Sequence, residues 1–353
     1  MNRWLRCLGV SFLALTILSF PGLTQEKTAL GISDMITLAI SNNMDFQKAL
    51  LQLKNIEIDT LQLEAENLLT KSEILAKQKE INLLQQKDTF QNQKDQLIIQ
   101  AVDNYFRLML AEKDIVRKRK NAELEKSILT EVEAQVAAGY SVDLALLQQG
   151  NTYYNARFSY EKAKLDYEQL LIEIKDNLGI NHNTNLSVKI MEMTHLAEID
   201  LPTALAKARE NSASIKSKEI EVGLANIRLE EAKINRESQL EIAKLENNLK
   251  VAELEESILK QDLDFQIQTQ WQNHRQSKND ILLSEQSLKQ MQENETTIRR
   301  QVEAGLRTDG ELLSATIGVL DAEYRLISSF RQYYQSHLEL KRIMGMLEEG
   351  EIR

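Results

Sequence analysis

Cysteine is all but missing. The single thiol, Cys7, lies in an apolar N-terminal stretch that reads as a secretory leader, so once the leader is removed, disulfide and thiol chemistry are excluded. Proline is equally scarce, with Pro21 and Pro202 alone. Residues 32–138 contain neither Gly nor Pro, and residues 224–304 contain neither. Strands, hairpins and tight turns usually leave Gly or Pro behind, so runs this long exclude an ordinary sheet protein. Beyond the leader, no segment approaches the roughly 20 apolar residues of a membrane-spanning helix. Basic clusters are missing as well. The chain carries a formal charge of −10, its one basic run is Arg117-Lys118-Arg119-Lys120, and it is a poor candidate for binding nucleic acid. That short run reads as a solvated helix face.

The leader reading covers residues 1–24. Arg3 and Arg6 precede the apolar stretch Leu8–Phe20, and Pro21-Gly22-Leu23-Thr24 breaks it near a cleavage site. A retained anchor is the other reading, but the apolar core falls short of a spanning length. No small-residue lipoprotein pattern precedes Cys7, so no lipid anchor is expected. The mature chain is expected to be exported and water-soluble along most of its length.

What the chain does have is Leu, Glu, Lys, Gln and Ala, the composition of long helices packed as coiled coils. It also has an internal repeat. Gln135-Val136-Ala137-Ala138-Gly139 returns 166 residues later as Gln301-Val302-Glu303-Ala304-Gly305. At the same offset Tyr105 matches Trp271, Ile115 matches Ile281, Leu146-Leu147 match Leu312-Leu313, and Ala156 matches Ala322. Near the start of each copy Leu38–Asn43 corresponds to Ala206–Asn211, at an offset of 168. A duplicated unit follows: a first helical repeat over 25–180, a linker over 181–200 and a second helical repeat over 201–353. The expected class is all-α, with long antiparallel coiled-coil helices in two tandem repeats.

Apolar spacing supports this. Ile98, Val102, Tyr105 and Met109 step by 4, 3 and 4. Ile58, Leu61, Ala65 and Leu68 step by 3, 4 and 3, and Tyr160, Ala163, Tyr167, Leu170 and Ile174 alternate likewise. A mean period of 3.5 keeps one seam facing a partner helix. Each repeat then divides into three stretches: 33 to the mid-80s, on to 138, and 143–178, matched by 202–248, 250–304 and 309–345. The middle stretch is on the order of 75 Å long at about 1.5 Å per residue. Asp88-Thr89 and Asn247-Asn248 are weak candidates for the first bend. Leu178-Gly179 resembles a helix end with a left-handed cap, and Pro202 suits a first helical turn. The linker, with alternating Leu186, Val188 and Ile190, is the one place for a short strand.

Gly139 and Gly305 each interrupt a seam that resumes a few residues later, and glycine can take the positive φ that stops a helix. Thr308 and Glu311 have capping-box spacing, and Ser141 or Asp143 is a candidate cap in the first repeat. Each repeat thus holds a helical hairpin whose tip presents Val136, Ala138, Gly139 and Tyr140, or Val302, Ala304, Gly305 and Leu306. These are candidate partner-binding residues; an ordinary turn without a partner is the other reading.

No arrangement of residues supports catalysis, a cofactor or a metal. His182, His195, His274 and His337 are isolated, without partners at ligand spacing. No glycine-rich phosphate loop is present, and the carboxylates fall on helix flanks where pairing with lysine is the default. Tyr153, Tyr154, Phe158, Tyr160, Tyr167, Tyr324, Phe330, Tyr333 and Tyr334 cluster on the third stretches and read as packing.

The pattern resembles the TolC-type outer-membrane efflux protein family. Ile36–Asn43 is similar to that family's leading helix with its A-L-x-N-N ending. Ala138-Gly139-Tyr140 with Leu146-Leu147-Gln148 is similar to its A-G-L…D-V-L-Q-A segment, repeated as Ala304-Gly305-Leu306, Leu312-Leu313 and Ala315. The resemblance implies a homotrimeric hollow helical cylinder acting as an efflux duct. Its hairpin tips, 136–142 and 302–308, would dock on a periplasmic adaptor (membrane fusion protein) and an inner-membrane pump. At the tip position that is usually acidic in the family, Ala145 stands in the first repeat and Glu311 in the second. The family also inserts a membrane-spanning β-hairpin between the first two stretches of each repeat. Residues 66–98 carry one aromatic, Phe90, residues 232–262 carry none, and neither shows the alternation of a spanning strand. The expectation is a barrel-less relative, or else an exported scaffolding coiled coil that has lost the pore.

Overall fold

The computed structural model describes residues 28–70, 72–189, 193–194 and 196–350. The leader reading at 1–24, Cys7 and His195 fall outside them. Along the chain run β1 (Thr28–Leu30), α1 (Ile32–Asn42), α2 (Met44–Thr70), α3 (Glu73–Ala137), α4 (Asp143–Asn177), β2 (Leu186–Val188), α5 (Leu201–Asn211), α6 (Ala213–Ile234), α7 (Gln239–Glu303) and α8 (Asp309–Ile343). The duplication is visible in the lengths. The leading helices have 11 residues each, the long helices 65 each and the returning helices 35 each.

The helices lie side by side in an open wall rather than a closed bundle. Toward the glycine tips the order across the wall is α4, α3, α8, α7; toward the other end it is α2, α3, α6, α7. Where the two halves meet, an apolar core gathers Ile36, Ile98, Tyr105, Phe106, Leu108, Ile174, Tyr334 and Leu338, all almost fully buried. Here β1 and β2 pair in parallel, Thr28 with Leu186 and Leu30 with Val188. The strand expected in the linker is therefore present, and its partner is the segment before α1.

The linker is pinned in equivalent ways in the two repeats. The Tyr105 hydroxyl donates to the Lys189 carbonyl at 2.8 Å, and the Trp271 indole N–H donates to the Ile199 carbonyl at 2.8 Å. The leading helices end on a second matched device. The Asn42 amide donates to the Leu178 carbonyl and the Asn211 amide to the Met344 carbonyl, each at 2.9 Å. The helix each amide meets ends on a glycine with φ of +61°, Gly179 or Gly345. The structurally equivalent asparagines are thus Asn42 and Asn211, one residue from the sequence alignment of Asn43 with Asn211.

The bends lie elsewhere than expected. Asp88-Thr89 and Asn247-Asn248 sit inside α3 and α7; α2 ends at Thr70 with α3 beginning at Glu73, and α6 ends at Ile234 with α7 beginning at Gln239. Ser72 and Ser238 supply the signal, since each hydroxyl accepts the N–H three residues on, from Leu75 and Glu241. Arg236, at φ 59°, takes the left-handed cap position of α6 in place of a glycine. The leading stretch also breaks at Asn43 and Ser212, whose side chains accept from Phe46 and Ile215 N–H. The long helices consequently reach about 97 Å, longer than the expected middle stretch. Residues 66–70, 73–98, 232–234 and 239–262 are helical. Among the described residues no strand exceeds three residues, and no helix is long and apolar enough to cross a membrane.

Candidate partner interface

At each tip a Schellman motif stops the long helix. Gly139 (φ 76°) donates to Val136 O and Tyr140 N–H to Gln135 O at 2.8 Å; Gly305 (φ 73°) and Leu306 repeat this on Val302 O and Gln301 O. The restarts differ. Thr308 and Glu311 form the capping box reciprocally, with Arg307 added on Glu311 at 2.9 Å. These bonds, the backbone N–H of Thr308 foremost, hold the Glu311 carboxyl below its ordinary pKa. In the first repeat Val142 occupies the N-cap and no side chain caps it, so neither Ser141 nor Asp143 plays the expected role. Asp143 lies in the first turn, where its charge faces the positive helix end. Ala145 is half-buried beside it.

Both tips lie at one end. Antiparallel contacts tie α3 to α8 in a steady register: Arg117 to Asp321 at 3.0 Å, Lys113 to Glu323 at 2.7 Å, Asp103 to Arg331 at 2.6 Å and Asn92 to Arg342 at 3.1 Å. Half-exposed ion pairs contribute up to about 1 kcal/mol each, so they fix register more than stability. Extended by about 12 residues, this register sets the start of α8 roughly two turns before the end of α3. Arg117 also lies over the Tyr324 ring at 4.7 Å, so the basic run is in part an interhelical tie rather than wholly a solvated face. The tips themselves are exposed: Ala138, Gly139, Tyr140, Ala304, Gly305 and Leu306 face solvent, while Val136 and Val302 are half-buried.

The wall's outer edges carry a feature that periodicity alone did not locate. On α4, Leu144, Leu147, Tyr154, Phe158, Leu165 and Ile172 are exposed at steps of 3, 7, 4, 7 and 7. On α2, Met44, Leu51, Ile58 and Leu61 are exposed at steps of 7, 7 and 3. On α7, at the opposite edge, Val251, Leu254, Ile258 and Phe265 are exposed at steps of 3, 4 and 7, and Leu282 is exposed further along the helix. Each is a coiled-coil seam without an intrachain partner. Tyr154 and Phe158, read as packing, therefore face outward, whereas Phe330, Tyr333 and Tyr334 are buried as expected.

The histidines are less isolated than their spacing implied. His274 on α7 lies 5.1 Å from His337 on α8, ring to ring, and stacks on Tyr333 at 4.9 Å. Its Nδ1 meets the Ser336 hydroxyl at 3.2 Å. Burial, then the His337 ring and Lys278, push its pKa from 6.5 down to about 4, so it is neutral near pH 7. The sequence signal was available: the two lie 31 and 32 residues either side of Gly305, which an antiparallel hairpin brings level. His182 pairs with Asp176 at 2.9 Å. Among the described residues no group of three or more His, Cys, Asp or Glu is placed to hold a metal.

No protein-family model matches the sequence, and no curated protein matches it. Solved structures do match in shape. The Campylobacter jejuni CmeC outer membrane channel superposes with a TM-score of 0.63 at 14% identity, over 90% of this chain and 86% of that one. The outer membrane protein VceC of Vibrio cholerae gives 0.62 at 10%, over 89% and 96%. The open state of the Neisseria gonorrhoeae MtrE outer membrane channel gives 0.58 at 13%, over 90% of each. At such identities the likeness is one of fold. The chain has a TolC-type fold, built from two tandem helical repeats with helical turns in place of spanning hairpins.

Proposed function

We propose that the chain is one staff of a hollow helical cylinder, a TolC-like duct for efflux or export, made by head-to-tail association of identical copies. The observation that carries this is the pair of unlike apolar edges. The α4–α2 edge and the α7 edge each expose a heptad seam, and joining one to the other on a neighbour is a heterologous contact that closes into a ring when the wall is curved. Three copies are expected from the resemblance. The aligned tips form one rim of the cylinder. There Tyr140 and Leu306 offer exposed apolar surface to a periplasmic adaptor, which in turn links to an inner-membrane pump. The other rim lies where α2 gives way to α3 and α6 to α7, and the chain acts in the periplasm or against the outer membrane. This role requires no catalysis.

The scaffolding alternative is favoured by one observation, the absence of a spanning strand among the described residues. The two readings separate on the tips. Replacing Gly139 and Gly305 by a bulky residue should abolish co-purification of an adaptor with a duct subunit while leaving its oligomer intact. A scaffold would be monomeric or dimeric and indifferent to the change.

A further inference from the structure

Below the linker, between α3 and α8, the wall contains a cavity of about 390 Å³, within the size range of small-molecule sites. Its walls are almost wholly apolar: Met109 and Val116 from α3, Val188 and Met193 from the linker, Leu288 from α7 and Leu326 from α8. Four separate chain segments converge on it, which a chance surface dent between two helices does not require. The two thioethers give it an adaptable lining. Charge is confined to three groups, Glu112, Lys113 and Glu323. Lys113 is committed to Glu323 at 2.7 Å, and Glu112 accepts the Tyr167 hydroxyl at 3.0 Å, a neutral donor. The local balance is therefore two carboxylates against one ammonium, and among the described residues no lysine or arginine forms an ion pair with Glu112.

We propose that this cavity binds a small amphiphile with a compact apolar tail and one positive charge, the tail between the methionines and the head at Glu112. The site belongs to a single copy of the chain, so it stands or falls independently of ring closure. The net negative rim disfavours an acid of the same shape, because its carboxylate would meet Glu112 and Glu323 with Lys113 already engaged. An alcohol of the same tail would fill the walls but gain nothing from the rim.

The test uses the purified chain labelled at its methionine methyl groups, titrated with hexylammonium, hexanol and hexanoate. Hexylammonium is expected to shift the Met109 and Met193 methyl signals, assigned by single replacement with leucine. It should bind about threefold more tightly than hexanol, the scale of one half-exposed charge contact, with hexanoate weakest. Lys113→Met removes the competing ammonium and should tighten hexylammonium about threefold. Glu323→Gln frees Lys113 and should weaken hexylammonium by a similar factor while admitting hexanoate. Val116→Phe, which fills the cavity, should abolish the shifts; Lys113→Met tests the same site without crowding it. Unmoved Met109 and Met193 signals, or equal affinity for all three probes, would overturn the proposal.

Discussion

The two kinds of glycine in each repeat should differ in what replacement by alanine costs. Gly345 has a φ of +61°, and a Cβ built on it falls 2.9 Å from the Asn211 Cβ; at Gly179 the matching distance to Asn42 Cβ is 2.7 Å. Neither neighbour can yield easily, because the asparagine amides hold the helix-end carbonyls of Met344 and Leu178. Left-handed strain costs an L-residue roughly 1–2 kcal/mol. Displacing the asparagine forfeits a hydrogen bond worth about 1 kcal/mol, and the crowding adds on the order of 1 kcal/mol. Gly345→Ala should therefore lose about 3–4 kcal/mol. Gly305→Ala carries the same left-handed strain at φ +73°, but its Cβ meets nothing within 4 Å, so it should lose only about 1–2 kcal/mol. Thermal melts followed by circular dichroism would read this as a drop of several degrees for Gly345→Ala, about twice that for Gly305→Ala. Equal losses at the two sites, or a harmless Gly345→Ala, would refute the view that these glycines clamp the two halves of each repeat.

Acid should weaken the fold through His274. The unfolded chain takes up a proton at about pH 6.5, whereas the folded ring resists until about pH 4. Stability therefore falls as pH drops through that window, by about 3 kcal/mol at its foot, and His274→Phe should flatten the dependence in melts between pH 7 and 4. Thr308→Ala removes one half of the capping box and should cost about 1 kcal/mol, read by denaturant titration, while Ser141→Ala at the uncapped restart should cost almost nothing. Paired Phe158→Asp and Leu165→Asp changes, on the exposed seam of α4, should leave helix content unchanged and shift the chain to monomer in sedimentation.

Much of this architecture was legible in the residues, for physical reasons that also mark where legibility ended. A Gly in a positive-φ cap leaves an unmistakable trace, so the tips at Gly139 and Gly305 and the helix end at Gly179 were placed correctly. The far bends left none, since serine caps at Ser72 and Ser238 and an arginine at φ 59° do the work usually given to glycine. The seam Ile98, Val102, Tyr105, Met109 is buried within the chain, whereas Leu51, Ile58 and Leu61 are exposed with the same spacing. A heptad reports that a helix wants a partner; it does not report whether the partner lies in the same copy. The alternation of Leu186 and Val188 marked β2, whereas Thr28–Leu30 carries too little pattern to find, so the pairing of the two strands went unseen. The two tips are at one end of the wall, about two turns out of level, with Val136 and Val302 half-buried and the other candidate tip residues exposed. The edges that complete the proposed interface emerged only when the helices were set side by side.

The central claim is that the two apolar edges belong to each other on neighbouring copies. Sedimentation equilibrium of the leaderless chain measures this most directly. A single species of three times the chain mass, dissociated by charges on the α4 seam and equally by charges at Phe265 and Leu282 on α7, is the predicted result. A monomer at micromolar concentration, or an oligomer indifferent to both sets of changes, would contradict it.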